Sequence, residues 1–186
     1  MLNRRQFLLT SFALFAAVQG AAAHPETGTA LDPQFLPQEV DFAREYPVGT
    51  IVVDTANRFL YLIESKNIAR RYGIGVGRAG LAFSGTAEIG RKAKWPSWRP
   101  TDNMIRRNPG KYARFADGVP GGPNNPLGSR ALYLYRDGQD TLYRIHGTTE
   151  PSSIGKAVSN GCFRMVNEHV EDLFERVPVG AKVVVD

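Results

Sequence analysis

The sequence predicts a domain of the mainly β class, and three features support this prediction. Two pairs of strand-forming runs are each joined by a short turn. One segment near the C-terminus has its apolar residues at the spacing of an α-helix. A glycine- and proline-rich stretch separates the two pairs, and these residues interrupt regular structure. Because 42% of the residues are hydrophobic, the chain can bury one core.

The N-terminus has the composition of an export signal, which we expect to span residues 1–23. Paired arginines precede an apolar stretch from Leu8 to about Val18, and three alanines at 21–23 supply small residues for cleavage. The paired arginines are typical of the twin-arginine route, with the general secretory route and a retained anchor as alternatives. We therefore expect a protein exported to the periplasm or cell envelope.

The first ordered elements are predicted after a leader or linker. Residues 24–47 are rich in Pro, Glu, Gln and Thr, so we expect weak order there and a compact domain over 48–186. The runs 50–54 and 58–63 are β-branched and aromatic, which predicts a β-hairpin. Residues 69–76 predict a third strand that ends at glycines.

The segment 78–128 carries so many glycines and prolines that we expect long loops in it. Long ordered loops in compact domains are usually lids or binding segments. Trp95, Trp98, Met104 and Ile105 lie in this segment. They either wall a cleft or pin the loop to the core.

The clearest hairpin joins residues 131–136 to residues 141–146. The Asp137-Gly138 pair between the two runs is a strong turn signal. His146 is therefore expected at the end of a strand, where the scaffold can hold it firmly.

A short helix and a last strand are predicted at the C-terminus. Asn167 is expected to cap the helix. Its apolar residues fall on one face, and a strand is expected at 182–185. The residues of that face are Val170, Leu173, Phe174 and Val177.

The single cysteine, Cys162, is the first candidate for chemistry. An unpaired cysteine in an exported protein is either a packing residue or a reactive thiol. A thiol nucleophile needs a base, and His146 suits that role better than His24 or His169. In the reactive interpretation we expect an imidazolium–thiolate ion pair.

The neighbours of Cys162 suit acyl transfer. Gly161 leaves the approach to the sulfur open, and backbone N–H groups beside it can face a developing oxyanion. Arg164 can bind a carboxylate and shares a face with Cys162 if the chain is extended. We assign oxyanion or positioning roles to Gly147, Ser159, Asn160 and Gly161, and substrate-binding roles to Trp98, Met104, Thr148 and Arg164.

Other classes of function fit less well. A zinc site of His146, Cys162 and His169 lacks a close pair of ligands, so we expect no metal. A sortase would carry a Leu-x-Thr motif before the cysteine, which is missing here. The net charge of +5 is too small to indicate nucleic-acid binding, and no basic stripe with interleaved aromatics is visible.

Two motifs resemble the signature of the L,D-transpeptidase (YkuD-type) catalytic domain of ErfK/YbiS-like periplasmic enzymes. They are His146-Gly147-Thr148 and the run from Ser159 to Met165. The resemblance extends from about Pro47 to Val185. Asn160 departs from the pattern, because many members carry a second histidine at that position. The departure puts in doubt any substrate contact that this second imidazole would make.

The resemblance implies a mainly β fold of mixed, sandwich-like sheets with short helices and a long loop over the cleft. It also implies that Cys162 attacks the third-residue carbonyl of a peptidoglycan stem and expels D-alanine, with His146 as the base. Arg164 would then hold a carboxylate of the stem. No cofactor is implied, because a thioester conserves the energy of the amide that it replaces.

The acceptor of the acyl group is left open by the resemblance. An amine of a second stem would give a 3→3 cross-link, and a lysine of an outer-membrane lipoprotein would give protein attachment. Water would give an L,D-carboxypeptidase or endopeptidase. A wall-binding module without turnover is the non-enzymatic alternative. Carbapenem-type inhibitors are expected to acylate the thiol.

Overall fold

The computed structural model describes residues 31–81 and 83–186, and the predicted export signal lies outside them. The strands are β1 (Gln38–Asp41), β2 (Ile51–Asp54), β3 (Phe59–Ser65), β4 (Ile68–Gly73), β5 (Val76–Gly77), β6 (Gly85–Lys94), β7 (Arg130–Arg136), β8 (Gln139–His146), β9 (Ala157–Ser159), β10 (Phe163–Arg164) and β11 (Lys182–Val185). The α-helices are α1 (Asp102–Arg107), α2 (Pro109–Tyr112) and α3 (Asn167–Arg176).

Nine of these strands form one mixed sheet, in the order β1-β4-β3-β2-β11-β6-β7-β8-β10. Neighbours are antiparallel except that β11 runs parallel to β2 and β10 runs parallel to β8. The short strands β5 and β9 form a separate parallel pair. The predicted mainly β class with mixed sheets is therefore confirmed.

Both predicted hairpins are present. Strands β2 and β3 pair with Ile51 opposite Leu62, and strands β7 and β8 pair with Ala131 opposite His146. The turn between β7 and β8 has positive φ at both Asp137 (52°) and Gly138 (75°). This backbone matches the twist of the flanking strands, as expected for a two-residue hairpin turn.

The prediction of loops throughout 78–128 is wrong for residues 85–94, which form β6 in the middle of the sheet. Ala87 and Ile89 of this strand are buried. Gly90 lies at a register shift, and a Cβ there would come within 2.2 Å of the ring of Tyr135. The glycine therefore marks a β-bulge covered by an aromatic ring, and not a strand end.

Part of the predicted linker is also ordered, since residues 38–41 form edge strand β1 against β4. Just before it, Phe35 lies so close to Gly73 that a Cβ on the glycine would be 2.3 Å from the Phe35 Cβ. The predicted strand over 69–76 breaks at this point, with β4 ending at Gly73 and β5 following at Val76.

Helix α3 covers one face of the sheet, and its predicted apolar face is confirmed. Val170, Leu173 and Phe174 are buried in the main hydrophobic cluster with residues of β7 and β8. Asn167 does not cap the helix as predicted, because its Oδ1 accepts a hydrogen bond from the Ser129 N–H at 3.1 Å. Among the described residues, every helix is too short or too polar to span a membrane.

Candidate active site

The thiol and the imidazole are brought together by the parallel pairing of β10 with β8. Arg164 lies opposite His146 in this register, and Cys162 directly precedes β10. All three side chains line one cleft of about 800 Å³. The sheet therefore gathers groups that are far apart in sequence.

The imidazole of His146 is buried and only 5% exposed. Its Nδ1 donates a hydrogen bond to the Gly147 carbonyl at 2.5 Å, so the neutral ring keeps Nε2 as an acceptor. Burial lowers the pKa of His146 to about 4, despite the opposing effect of the Gly147 hydrogen bond. The imidazole is therefore neutral at pH 7.

The Cys162 thiol is partly exposed to the cleft. Burial raises its pKa, against the lowering effects of the Arg144 backbone and the charges of Arg144 and Arg164. The thiol donates a weak hydrogen bond to the Leu142 carbonyl, with Sγ and oxygen 3.9 Å apart. The structure thus favours a neutral thiol and a neutral imidazole, which differs from the predicted ion pair because burial disfavours both charged forms.

The loop before the thiol, residues 159–162, is held by its own serine. The Ser159 hydroxyl donates to the Cys162 carbonyl at 2.6 Å and accepts from the Gly161 N–H at 3.1 Å. The Gly161 N–H is therefore not free for the oxyanion role that was predicted for it. In the part of the chain that the structure describes, the backbone N–H groups of Asn160 and Cys162 donate no hydrogen bond, so these two are the remaining candidates.

Gly161 is required by both conformation and space. Its φ of 128° favours glycine, and a Cβ would lie 2.6 Å from the Leu81 carbonyl oxygen and 2.7 Å from the Tyr143 ring. Any side chain at Gly161 would displace the loop that carries the thiol.

Gly147 and Thr148 directly follow His146 in the chain. A Cβ on Gly147 would lie 2.2 Å from Asn167 Oδ1, so this glycine lets the loop pack beneath α3. Thr148 is 3% exposed and lines the cleft, and its Oγ1 accepts a hydrogen bond from the Glu150 N–H at 3.0 Å. Thr148 therefore still has a hydroxyl proton to donate.

Arg164 faces the cleft together with Cys162, as the extended chain predicted, while Phe163 between them is fully buried. The Arg164 guanidinium donates a hydrogen bond to Glu150 Oε2 at 2.7 Å. The Glu150 side chain is 63% exposed, so a carboxylate entering the cleft can compete for Arg164. This ion pair was not predicted from the sequence.

A bulge in β8 brings Leu142 and Arg144, neither of which was predicted, to the thiol. Leu142 has a φ of 64°, and the register between β7 and β8 shifts beside it. Asp140 holds the bulge by accepting from the Leu142 N–H at 2.8 Å and from the Arg144 guanidinium at 2.7 and 2.8 Å. A run of alternating residues predicts a straight strand, so this bulge was not visible in the sequence.

The opposite wall of the cleft is a flap, which we define as residues 101–115. Thr101 caps α1 through the Met104 N–H, and Asn108 caps α2. The predicted substrate-binding residues Trp98 and Met104 both line the cleft. Trp98 packs edge-on against the rings of Tyr112 and Phe115, with centroids 6.5 and 5.8 Å away.

The two remaining residues of the predicted wall lie elsewhere. Trp95 is 46% exposed and precedes the flap, and Ile105 lies on α1, but neither lines the cleft. The aromatic residues of this segment therefore divide between cleft wall and surface.

Asn160 joins the flap to the thiol loop. Its Oδ1 accepts from Arg78 Nη2 at 2.9 Å, and its Nδ2 donates to the Tyr112 hydroxyl oxygen at 2.7 Å. Because arginine only donates, the amide orientation is fixed and Tyr112 receives the N–H. Asn160 therefore links the flap to the thiol loop, and neither Arg78 nor Tyr112 was predicted from the sequence.

The third group of the zinc alternative is elsewhere in the fold. His169 lies on α3 and does not line the cleft. Across residues 31–81 and 83–186, no three His, Cys, Asp or Glu side chains are close enough together to hold a metal ion.

A thiol, an imidazole and a guanidinium thus line one cleft on a β scaffold. A profile of the L,D-transpeptidase catalytic domain (YkuD) matches residues 49–185. The chain therefore belongs to the L,D-transpeptidase catalytic-domain family, which implies an enzyme.

A relative of similar sequence supports membership of this family. The probable L,D-transpeptidase YbiS of Escherichia coli K12 is 35% identical over 86% of this chain. The chain spans about half the length of that relative, with 50% of YbiS covered.

Solved structures share the fold. A Brucella melitensis protein described as a probable carnitine operon oxidoreductase is 56% identical, with a TM-score of 0.58 over 83% of this chain and 96% of its own. An L,D-transpeptidase in complex with imipenem is 16% identical, with a TM-score of 0.52 over 74% of this chain and 58% of its own. At that identity, the second likeness shows the fold alone.

The buried neutral His146 makes stability depend on pH. Its pKa falls from 6.5 when unfolded to about 4 when folded, so the unfolded chain takes up the proton first as the pH falls. The resulting loss of unfolding free energy begins near pH 6.5, levels off below pH 4 and amounts to about 3 kcal/mol. Urea unfolding of wild type and His146→Asn from pH 7 to pH 4 measures it. We expect the difference in unfolding free energy between the two proteins to change by that amount. The same pH dependence in both proteins would contradict a buried, neutral His146.

The Asn160–Tyr112 hydrogen bond should control the opening of the flap. We expect Asn160→Ala and Tyr112→Phe each to raise amide hydrogen exchange across 102–115 by about fivefold, the effect of losing about 1 kcal/mol. The double variant should exchange no faster than either single one, since both remove the same bond. Tyr135→Phe, on β7 outside the cleft, is the control. Additive effects, or unchanged exchange in Asn160→Ala, would show that this bond does not hold the flap.

Proposed function

We propose that this protein is an exported peptidoglycan L,D-transpeptidase that works through Cys162. The observation that carries the proposal is the pairing of β10 with β8, which places Cys162, His146 and Arg164 in one cleft. Membership of the family supports the reaction class. We place the export signal at 1–23 and the catalytic domain at 48–186, with its activity in the periplasm or cell envelope.

In the first step, Cys162 Sγ attacks the carbonyl carbon of the third residue of a donor stem peptide. His146 Nε2 takes the thiol proton as the S–C bond forms, and the imidazolium then gives that proton to the leaving D-alanine nitrogen. A neutral pair suits this sequence, because the proton moves only when a carbonyl is present to be attacked. The product is a thioester on Cys162 and free D-alanine.

The oxyanion of the tetrahedral intermediate needs donors near the sulfur. The unengaged Cys162 N–H is directly adjacent to the attacking atom. Arg144 contributes positive charge at the thiol, since its charge is among those that lower the pKa of Cys162. Both features favour negative charge that develops beside the sulfur.

Arg164 is proposed to bind a carboxylate of the donor stem. Its guanidinium is held by the exposed Glu150, which keeps it ordered until a substrate carboxylate takes its place. Thr148 is proposed to donate its hydroxyl proton to the stem, and Trp98 and Met104 to cover it from the flap side.

The second step transfers the acyl group to an amine. The amine nitrogen attacks the thioester, a proton passes to His146, and the departing sulfur is reprotonated. Acceptors in this proposal are the amine of a second stem or a lysine of an outer-membrane lipoprotein. Because the thioester conserves the energy of the amide, the reaction requires no cofactor.

Product analysis tests the proposed reaction. With disaccharide-tetrapeptide, we expect release of D-alanine together with a cross-linked dimer, both detected by mass spectrometry. Cys162→Ala should abolish both products and also labelling by a carbapenem, because it removes the nucleophile. His146→Asn should lower the rate by at least about 100-fold, the usual scale of general base catalysis.

Three outcomes would count against the proposal. Release of D-alanine without dimer, and without adducts to added amines, would indicate a carboxypeptidase. Binding of wall fragments without any release would indicate a non-catalytic wall-binding module. Equal carbapenem labelling of Cys162→Ala and wild type would exclude Cys162 as the nucleophile.

A further inference from the structure

The positive charge of the chain is concentrated in the cleft. In the described part of the chain, seven cationic side chains and one carboxylate line the cleft, a surplus of six, whereas the surplus of the whole chain is five. The cations are Arg99, Arg106, Arg107, Lys111, Arg114, Arg144 and Arg164, and the carboxylate is Glu150. A cleft of one charge sign focuses its field and raises the local concentration of oppositely charged ligands.

Three of these cations already have carboxylate partners. Arg144 pairs with Asp140 at 2.7 Å, and Arg164 pairs with Glu150 at 2.7 Å. Arg99 pairs with Asp102 at 3.2 Å. These arginines need no anion from outside to balance their charge.

Four cations of the flap differ, and we call them the flap cations: Arg106, Arg107, Lys111 and Arg114. Within residues 31–81 and 83–186, none of the four has a carboxylate oxygen within 4.0 Å. Lys111 lies 5.6 Å from the Tyr112 ring centroid, and Arg114 lies 4.5 Å from that of Phe115. Four like charges within residues 106–114 repel one another, so the flap is more stable with an anion bound.

The flap cations and the thiol serve different parts of the cleft. Arg144 lies on β8 and Arg164 on β10, the two strands beside Cys162, whereas the flap cations lie on the opposite wall of the cleft. The scissile carbonyl must lie at the sulfur, within reach of Arg144 and Arg164. The flap cations therefore face a second portion of bound substrate.

We propose that the flap cations bind the acceptor, and that the preferred acceptor is a peptide whose attacking amine is flanked by carboxylates. This inference rests on the proposed transpeptidase function. In meso-diaminopimelate, the side-chain amine and a carboxylate are attached to the same carbon, so an acceptor stem has this chemistry. A lysine side chain has no carboxylate beside its amine and fits the flap less well.

The arrangement also prepares the amine for attack. An ammonium group must lose its proton before it can attack a thioester, and nearby positive charges favour the neutral amine. The Tyr112–Asn160 hydrogen bond ties the same flap to the loop of Cys162. An acceptor held by the flap cations is thus kept close to the thioester.

The test compares acceptors on one preformed acyl-enzyme. The acceptors are a tripeptide ending in meso-diaminopimelate, the same peptide with its carboxylates amidated, and a peptide ending in lysine amide. We expect wild type to show the highest kcat/KM with the first acceptor and the lowest with the third. The triple variant Arg106→Gln/Lys111→Gln/Arg114→Gln should reduce the preference for the first over the second about tenfold, since exposed charge pairs each contribute up to about 1 kcal/mol.

A matched variant controls for net charge. Lys66→Gln/Lys156→Gln/Lys182→Gln removes three cations that do not line the cleft, and it should keep the wild-type preference. Raising the salt concentration on wild type should also reduce the preference, without any substitution that affects folding. Loss of the preference in the control variant would assign it to net charge and would overturn the proposal.

Two results separate this inference from the proposed function. If wild type forms no acyl-enzyme, the proposed function itself fails. If it forms one but shows no preference among the acceptors, or prefers the lysine peptide, only the acceptor inference fails. A triple variant that acylates more slowly with donor and keeps its acceptor preference would assign the flap cations to the donor and overturn the proposal.

Discussion

The parallel pairing of β10 with β8 is the constraint on which the rest of the site depends. Parallel neighbours cannot be joined by a tight turn, so the chain must cross over between them. Here the crossover runs from Gly147 to Cys162 and carries Thr148, Glu150 and the thiol loop along one side of the cleft. The same connection that the topology requires therefore carries the thiol and part of the cleft wall. Glycines at 147 and 161 allow this path to fit beneath α3 and against Tyr143.

Burial gives the site its electrostatic character. His146 and Cys162 are both surrounded closely enough that their neutral forms are favoured. Around them, the arginines nearest the thiol are balanced by Asp140 and Glu150, whereas the flap cations are unbalanced. This distribution is consistent with chemistry that starts from a neutral pair and with recognition of anions at the far wall. Asn160 does more than replace a histidine, because its amide links the flap to the thiol loop through the Tyr112 hydroxyl.

Much of the fold was predictable because its signals are local. The two hairpins, the apolar face of α3 and the last strand follow from residue spacing and turn residues within short windows. Cys162, His146 and Arg164, which line the cleft, were also predicted, since they belong to short motifs. Proximity of the thiol and the imidazole was inferred from the need of a thiol nucleophile for a base and from the resemblance to a family, because pairing of distant strands leaves no local signal.

The features that the sequence did not indicate depend on contacts between distant segments. Gly90 is a residue that usually interrupts a strand, but here it forms a bulge inside a central strand and the ring of Tyr135 packs over it. Asn167 has the residue type of a cap, yet Ser129 takes its side chain. The concentration of cations in the cleft likewise required the fold, since the flap and the strands contribute them from separate parts of the chain.

The central claim is that Cys162 carries the acyl group, and trapping that intermediate tests it most directly. The full-length protein is incubated briefly with disaccharide-tetrapeptide, quenched in acid and analysed by intact mass and peptide mapping. The account predicts an adduct equal to the substrate minus D-alanine, located on the peptide that contains Cys162 and removed by hydroxylamine. Two results would contradict the claim. One is an adduct on another residue. The other is an enzyme that forms product but carries no adduct in samples quenched within the first catalytic cycle.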